Sequence, residues 1–229
     1  ILFFSFIIII SGSFWFISIL KDDIINVKEE KNKAFHVLKD KKERELEALK
    51  VRKETEFRIL EEKEKELVCQ IEAKFNVKFI EVNKLTEGTA CSILYARNYI
   101  NNGEPLLVAN SDQIVDIDIA KYVDDCKRRD LGGSILTFID KLRDPKWSYV
   151  RLNDQAMVVE VKEKKVISKY ATVGIYFFSK GSDFVNSAID MIIENDRVNN
   201  EFYTCPVYNY AIRSGLRIGV FNIDFKQMH

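Results

Sequence analysis

From Ser13 to Glu87 the chain contains neither glycine nor proline, the two residues that most strongly interrupt a helix. Within that run, residues 21–75 carry 15 basic and 15 acidic side chains. Stretches such as KDKKERELEALKVRKETEF and ILEEKEKEL consist of good helix formers with acids and bases four residues apart. Glu54 with Arg58 and Glu61 with Lys65 attract on a helix surface, whereas Glu43 with Glu47 repels. A long charged helix is therefore predicted over 21–75. Leu46, Phe57, Leu60, Leu67 and Ile71 make an apolar stripe at 3–4 spacing, and Lys50, Lys53 and Glu64 interrupt it. So weak a seam suits a coiled-coil homo-oligomer or a solvated rod, and both readings stand.

Residues 1–20, ILFFSFIIIISGSFWFISIL, hold no charge. Twenty helical residues span about 30 Å, the hydrocarbon thickness of a bilayer, so a transmembrane helix is expected. A signal peptide fits less well, because no basic region precedes the apolar run and no small-residue cleavage pattern precedes Lys21. The other reading is a segment foreign to the domain that follows. Orientation is poorly set, since Asp22 and Asp23 follow Lys21 directly.

Residues 76–229 differ in kind. They hold eight of the nine glycines and all three prolines. VKFIEV (77–82), PLLVAN (105–110), SILTFI (134–139), WSYVRL (147–152), MVVEV (157–161), ATVGIYFF (171–178) and LRIGVFNI (216–223) read as strands. Helices are predicted near 90–100, 118–129, 182–195 and 205–214. That alternation indicates an α/β sheet domain.

Composition narrows the chemistry. The 35 basic and 35 acidic residues cancel, which argues against nucleic-acid binding through bulk positive charge. His36 and His229 are the only histidines, and His229 is the last residue, which argues against a Ser-His-Asp triad, a Cys-His pair or a multi-histidine zinc site. Cys69, Cys91, Cys126 and Cys205 lie far apart with no CxxC, as in a reduced intracellular chain.

Four stretches in the α/β domain carry candidate chemistry. In Pro105-Leu-Leu-Val-Ala-Asn-Ser-Asp112-Gln an apolar strand ends in a polar cluster, and ligands of open α/β sheets gather beyond strand carboxyl ends. Asp112 there can hold Mg²⁺, which takes few carboxylates and keeps phosphates and waters as its other ligands. Alternatively, Ser111 or Asp112 caps the next helix. In Leu85-Thr-Glu-Gly-Thr-Ala-Cys-Ser92, Gly88 permits close backbone approach to a ligand, or Thr86 or Thr89 caps a helix. No Walker or GxGxxG loop is present. Around Glu160-Val-Lys-Glu-Lys-Lys165, cations beside an acid suit a phosphate clamp, with Glu163 accepting a sugar hydroxyl, or simply a charged hairpin end. Asn199-Asn-Glu-Phe-Tyr-Thr-Cys-Pro206 suits a ligand rim or a plain helix entry.

Taken in order, TEGTACSIL (86–94), PLLVANSDQIV (105–115), DPKWSYVRL (144–152), VKEKKVIS (161–168), ATVGIYFF (171–178) and VNNEFYTCPVYN (198–209) resemble the sugar-phosphate nucleotidyltransferases, the NDP-sugar pyrophosphorylase family, over about residues 76–229. The resemblance implies a Rossmann-like mixed sheet and attack by a sugar phosphate on the α-phosphorus of a nucleoside triphosphate, for surface-polysaccharide synthesis. Such chemistry rests on positioning and charge neutralisation, so scarce histidine is no obstacle. It further implies Glu87, Gly88 and Thr89 at the nucleotide, and Asp112 as Mg²⁺ ligand. Lys146, Trp147, Ser148 and Tyr149 would lie on the acceptor side. Glu163 and Lys164 would contact sugar and phosphate respectively, with Lys164 and Asp112 as the catalytic pair. Thr172 and Gly174 would pack on the sugar, and Asn200 and Glu201 would meet its hydroxyls.

The family opens with a strand and a GxGxR-type loop that holds the triphosphate, and no such sequence occurs here. The domain is thus expected to be N-terminally incomplete, behind the hydrophobic helix and the long charged helix or coiled coil. The segment with Gly-x-Gly-Thr-Pro-Glu-Asp, which commonly bears a second metal ligand, is also absent. Two functions follow. One is nucleotidyl transfer by a cytoplasmic domain anchored through residues 1–20, or an inactive fragment of such an enzyme. The other is a non-enzymatic membrane-tethered coiled-coil protein with a degenerate nucleotide-sugar-binding domain.

Overall fold

The computed structural model describes the backbone of residues 14–229 and side chains from residue 25 onward. It divides into two units, one ending at Phe79 and one spanning Ile80–His229.

The first unit is dominated by one helix, α1 (Phe14–Phe75). The charged run is helical as its composition dictates, and the helix continues without a break into the hydrophobic segment as far as Phe14. Residues 1–13 of the expected membrane span lie outside the described residues; among those described, no helix is long and apolar enough to cross a membrane. Surface pairs such as Lys39–Glu43 at 3.9 Å and Arg52–Glu56 at 2.9 Å run along α1. After Phe75, Asn76 takes a left-handed φ of 49° and its N–H bonds the Glu72 carbonyl, closing the helix in the way a terminal αL residue does.

The second unit is a six-stranded mixed sheet with helices on both faces. Its elements are α2 (Thr89–Leu94), α3 (Arg97–Ile100), β1 (Leu106–Ala109), α4 (Ile119–Arg128), β2 (Gly133–Ile139), β3 (Tyr149–Leu152), β4 (Val158–Lys162), β5 (Tyr170–Phe178), α5 (Gly181–Ile193), α6 (Val207–Arg213) and β6 (Ile218–Ile223). The strand order is β4-β3-β5-β2-β6, with β1 paired to β5 as well. Only β2 and β6 run parallel; every other pair is antiparallel.

β5 pairs with β1, β2 and β3 and is buried on both faces, which explains a sequence that is apolar apart from Thr172. Tyr176 and Phe178 enter one core with α5 and α6, beside Phe184, Met191, Tyr208 and Ala211. Val173, Ile175 and Phe177 enter the other, against Tyr122 and Cys126 of α4. Phe178 stacks on Tyr208 at 4.4 Å between ring centroids. β4 is an edge strand, and Asn209 of α6 closes it: its Oδ1 accepts from Val161 N at 2.8 Å and its Nδ2 donates to Val161 O at 2.9 Å. This side chain imitates a neighbouring strand and fixes the start of the Lys162–Lys165 turn.

Six of the seven expected strands form. Residues 77–82 do not; they form no strand, and Val77, Phe79, Ile80 and Val82 stay partly exposed. A β pattern yields a strand only where a neighbour accepts its ladder, and among the described residues β1 pairs with β5 alone. The helix expected over 90–100 is two short ones, α2 and α3.

Candidate active site

The carboxyl end of β1 faces a cavity of about 260 Å³ lined by Thr89, Asn110, Gln113, Lys146, Trp147, Ser148, Glu163, Thr172, Val173, Gly174, Tyr176, Tyr203, Thr204 and Cys205. Two glycines make this geometry possible. Gly174 has φ +92°, and its carbonyl accepts the Asn110 N–H at 3.1 Å. Gly88 has φ +117°, and a Cβ there would lie 2.6 Å from Phe202 N and O.

That close approach zips residues 87–90 to 202–204. Phe202 N donates to Glu87 O at 2.7 Å and Ala90 N donates to Phe202 O at 3.0 Å. Thr89 Oγ1 accepts from Thr204 N at 3.0 Å and is bonded to Thr204 Oγ1 at 2.9 Å. Neither Thr86 nor Thr89 caps α2; its cap position is Gly88, without a side-chain bond. The second helix-cap reading fails as well, because Asp118 caps α4 by accepting from Ala120 N and Lys121 N. Asp112 lies exposed in the turn after β1, outside the cavity lining, and makes no hydrogen bond or ion pair among the described residues. Its carboxylate is thus left unbonded at the sheet's ligand-binding end.

The cavity wall opposite β1 is the β3–β4 hairpin. Ser148 Oγ donates to a Glu163 carboxylate oxygen, and burial raises the Glu163 pKa. Below it lie hydroxyls and a thiol that burial keeps neutral: Tyr176, whose Oη is 3.5 Å from Thr172 Oγ1, and Cys205. Lys164 is exposed, adopts a left-handed φ of 51° and donates to Tyr203 Oη at 3.0 Å, which carries its ammonium to the rim. Lys146 pairs with Asp144 at 3.3 Å and lies 4.8 Å over the Trp147 ring. The site can therefore accept hydroxyl protons at its wall and meet an anion at its mouth.

Of the residues expected at the site, Thr89, Lys146, Trp147, Ser148, Glu163, Thr172 and Gly174 line this one cavity, and Lys164 touches it through Tyr203. Tyr149 faces the other way. It is fully buried, and its Oη donates to Asp140 Oδ2 at 2.5 Å and lies 2.8 Å from the Asp144 carbonyl. Strand alternation separates it from Ser148, so its work is to hold the 140–147 loop.

Glu87, Asn200 and Glu201 sit beside the cavity on a rim organised by Arg197. Its Nη2 bonds Glu87 Oε2 at 2.6 Å, its Nη1 bonds the Asn200 carbonyl at 3.1 Å, and its guanidinium stacks 4.2 Å from the Phe202 ring centroid. Asn199 and Asn200, both at positive φ, form the two-residue turn between Val198 and Glu201, the conformation that asparagine tolerates best. The Glu201 side chain is exposed. Residue-by-residue reading overlooked Arg197, Asn110, Gln113, Tyr176, Tyr203, Thr204 and Cys205. Asn110, Gln113, Tyr176, Tyr203, Thr204 and Cys205 lie inside the quoted motifs without being singled out; Arg197 lies just outside them and gives no signal.

A larger cavity, about 740 Å³, opens at the carboxyl ends of β2 and β6 and shares Lys146 and Trp147. Its carboxylates are engaged by the protein itself: Asp140 by Tyr149 Oη and the N–H groups of Leu142 and Asp144, Asp224 by the Lys226 N–H. The smaller cavity, which gathers seven of the residues expected at the site and has Lys164 reaching its rim through Tyr203, is the better candidate. No group of three or more metal-ligating side chains occurs among the described residues.

A family profile described as nucleotidyl transferase matches residues 25–205. The match thus begins inside α1, well before the stretch in which motifs are recognisable. No curated protein matches. Among solved structures, the fold is similar to a nucleoside-diphosphate-sugar pyrophosphorylase from Vibrio cholerae RC9, at 21% identity and a TM-score of 0.56, over 71% of this chain and 69% of that one. It is also similar to a Bacillus anthracis protein assigned as a glucose-1-phosphate thymidylyltransferase and solved with a sucrose, at 18% identity and a TM-score of 0.53. There the alignment covers 69% of this chain and 63% of the other. With a family match over most of its length and a mixed sheet of the same fold, the chain belongs to the nucleotidyl transferase family.

Proposed function

We propose that the 260 Å³ cavity binds a sugar phosphate, and that the domain transfers a nucleotidyl group to it from a nucleoside triphosphate, forming an NDP-sugar and pyrophosphate. The observation that carries this reading is the pairing of Glu163, backed by the Ser148 hydroxyl, with lysines at the cavity mouth. A polyhydroxylated ring needs acceptors for its O–H groups, and its phosphate needs cations. Thr172, Asn110 and Gln113 supply further hydrogen-bonding groups on the same wall. The Arg197-held rim with Glu87 lies where a base or ribose would contact the 87–89 turn.

Asp112 suits a divalent cation such as Mg²⁺, because such an ion is held through one or two carboxylates and takes its remaining ligands from phosphates and water. When bound, the ion neutralises charge on the transferring phosphate. The chain's own part is positional: Lys164 and Lys146 hold the acceptor anion, and Glu163 fixes the ring so that the phosphate oxygen points at the nucleotide. Proton transfer by a protein base is not required, since the attacking phosphate oxygen is already ionised at neutral pH.

The product class suits surface-polysaccharide synthesis. Use of a nucleoside triphosphate puts the domain on the cytoplasmic side, and the uncharged residues 1–20 would supply its membrane anchor.

The test is pyrophosphate release with Mg²⁺, the common nucleoside triphosphates including dTTP, and a panel of sugar 1-phosphates. Turnover with at least one pair supports the reading. Asp112→Asn should then abolish turnover, with circular dichroism and melting unchanged; full activity in that variant would remove the metal assignment. Saturable sugar-nucleotide binding without pyrophosphate release would instead support a binding module.

A further inference from the structure

The seam of α1 is open along the second half of the helix. Leu46, Phe57, Leu60 and Leu67 are each more than half exposed. In heptads, one apolar position is filled by Glu43, Lys50, Phe57, Glu64 and Ile71, and the other by Leu46, Lys53, Leu60, Leu67 and Lys74.

The charged members of the seam decide its partner's direction. In a parallel, in-register pair, Glu43, Lys50, Lys53, Glu64 and Lys74 would each face their own counterpart, so half the layers would be like-charged. In an antiparallel pair with its dyad between Arg58 and Ile59, each residue of one set faces a residue of the other. Glu43 then meets Lys74, Lys53 meets Glu64, Leu46 meets Ile71 and Phe57 meets Leu60 of the second copy. Lys50 meets Leu67, over which its aliphatic stem can lie; its ammonium already reaches outward to Glu47 at 3.7 Å. No layer is like-charged.

The helix's own ion pairs point the same way. Lys39–Glu43, Lys41–Glu45, Glu47–Lys50 and Arg52–Glu56 form along α1, whereas neither Lys53 nor Glu64 has an ion pair among the described residues. Lys53 and Glu64 are thus both available to the Lys53–Glu64 layer, whereas Glu43 of the other charged layer also pairs with Lys39 along its own helix.

We propose that α1 is the interface for a second copy of this chain, in an antiparallel two-helix coiled coil over residues 43–74. At 1.5 Å per residue the overlap is about 48 Å long. Charged seam positions that are costly in stability but fix register and orientation are a common coiled-coil device. This inference does not depend on the transferase reading.

Sedimentation equilibrium on the full chain in detergent tests it. A dimer is expected, and Lys53→Glu or Glu64→Lys alone should weaken it about tenfold or more, because symmetry places each new repulsion twice. The double variant K53E/E64K should recover wild-type association, since it restores both pairs in reverse. In a Cys69→Ser background, K53C/E64C should form an intersubunit disulfide and K53C alone should not. A monomer, single variants as tight as wild type, no rescue in the double, or ready cross-linking through K53C alone would each overturn the proposal.

Discussion

Asn110 occupies the space that a side chain on Gly174 would need: a Cβ there would stand 2.4 Å from Asn110 Nδ2. The contact joins the first polar residue after β1 to the centre of β5 and forms one wall of the candidate site. Gly174→Ala combines this clash with a left-handed φ of +92°, a conformation that costs a non-glycine residue about 1–3 kcal/mol. Lower stability in urea titration is expected, together with a larger rise in KM for the sugar phosphate than for the nucleotide. Unchanged stability and unchanged KM would show that Asn110 can vacate the cavity without consequence.

Glu163 is the carboxylate whose ionisation should govern acceptor binding. Burial raises its pKa from an ordinary value of 4.5, outweighing the lowering effects of the Ser148 hydroxyl and the Lys164 charge. Because the ionised form accepts sugar hydroxyls, affinity should be full well above that raised pKa. It should fall as pH drops through it, before 4.5 is reached. Glu163→Gln keeps the volume but removes the charge. KM for the sugar phosphate should rise about tenfold to a hundredfold, the range for losing a hydrogen bond to a charged group, and the acid inflection should disappear.

The sheet was legible because β5 and β2 are buried, mostly apolar strands and β6 is a mostly apolar one, and because Asp118 marks the start of α4. Residues 77–82 show the limit of that logic. Their alternation is as good as that of β4, but a strand is a pair property, and no pairing partner is encoded in the strand itself. The site divides in the same way. Glu163, Ser148 and Thr172 lay in recognisable motifs, whereas Arg197 was invisible, because its meaning comes from Glu87, 110 residues away, and from the left-handed turn at Asn199–Asn200 that brings its guanidinium to the rim. Tyr149 shows how a correct motif still needs the strand's alternation to tell the wall of the site from its support.

Arg197→Ala tests that rim directly. The Glu87–Arg197 pair is largely open to water on the Glu87 side, so its loss should cost less than about 1 kcal/mol of stability. Its effect should fall on placement of the 87–89 turn instead: KM for the nucleotide should rise several-fold with kcat little changed. Arg197→Lys keeps the charge but not the fork that spans Glu87, Asn195 and Asn200, and it should rescue only partly. A drop in kcat with KM unaltered would argue that the rim touches the reacting phosphates rather than the nucleoside.

Asp140 and Tyr149 couple the loop beside the site to pH. Burial alone would raise the Asp140 pKa, but the Tyr149 hydroxyl and the backbone N–H groups of Asp144 and Leu142 more than offset that and hold it below the ordinary 3.8. A depressed carboxyl contributes stability that is present above its unfolded value and is lost as pH falls through the folded one. Tyr149→Phe removes one donor from a buried acceptor and should cost about 1 kcal/mol at neutral pH. It should also move the acid-unfolding midpoint upward, because Asp140 then protonates more readily in the fold. Circular dichroism against pH reads both effects. Asp140→Asn should flatten the difference between neutral pH and pH 3, and an acid midpoint that Tyr149→Phe leaves unmoved would show that the backbone N–H groups alone hold the carboxylate.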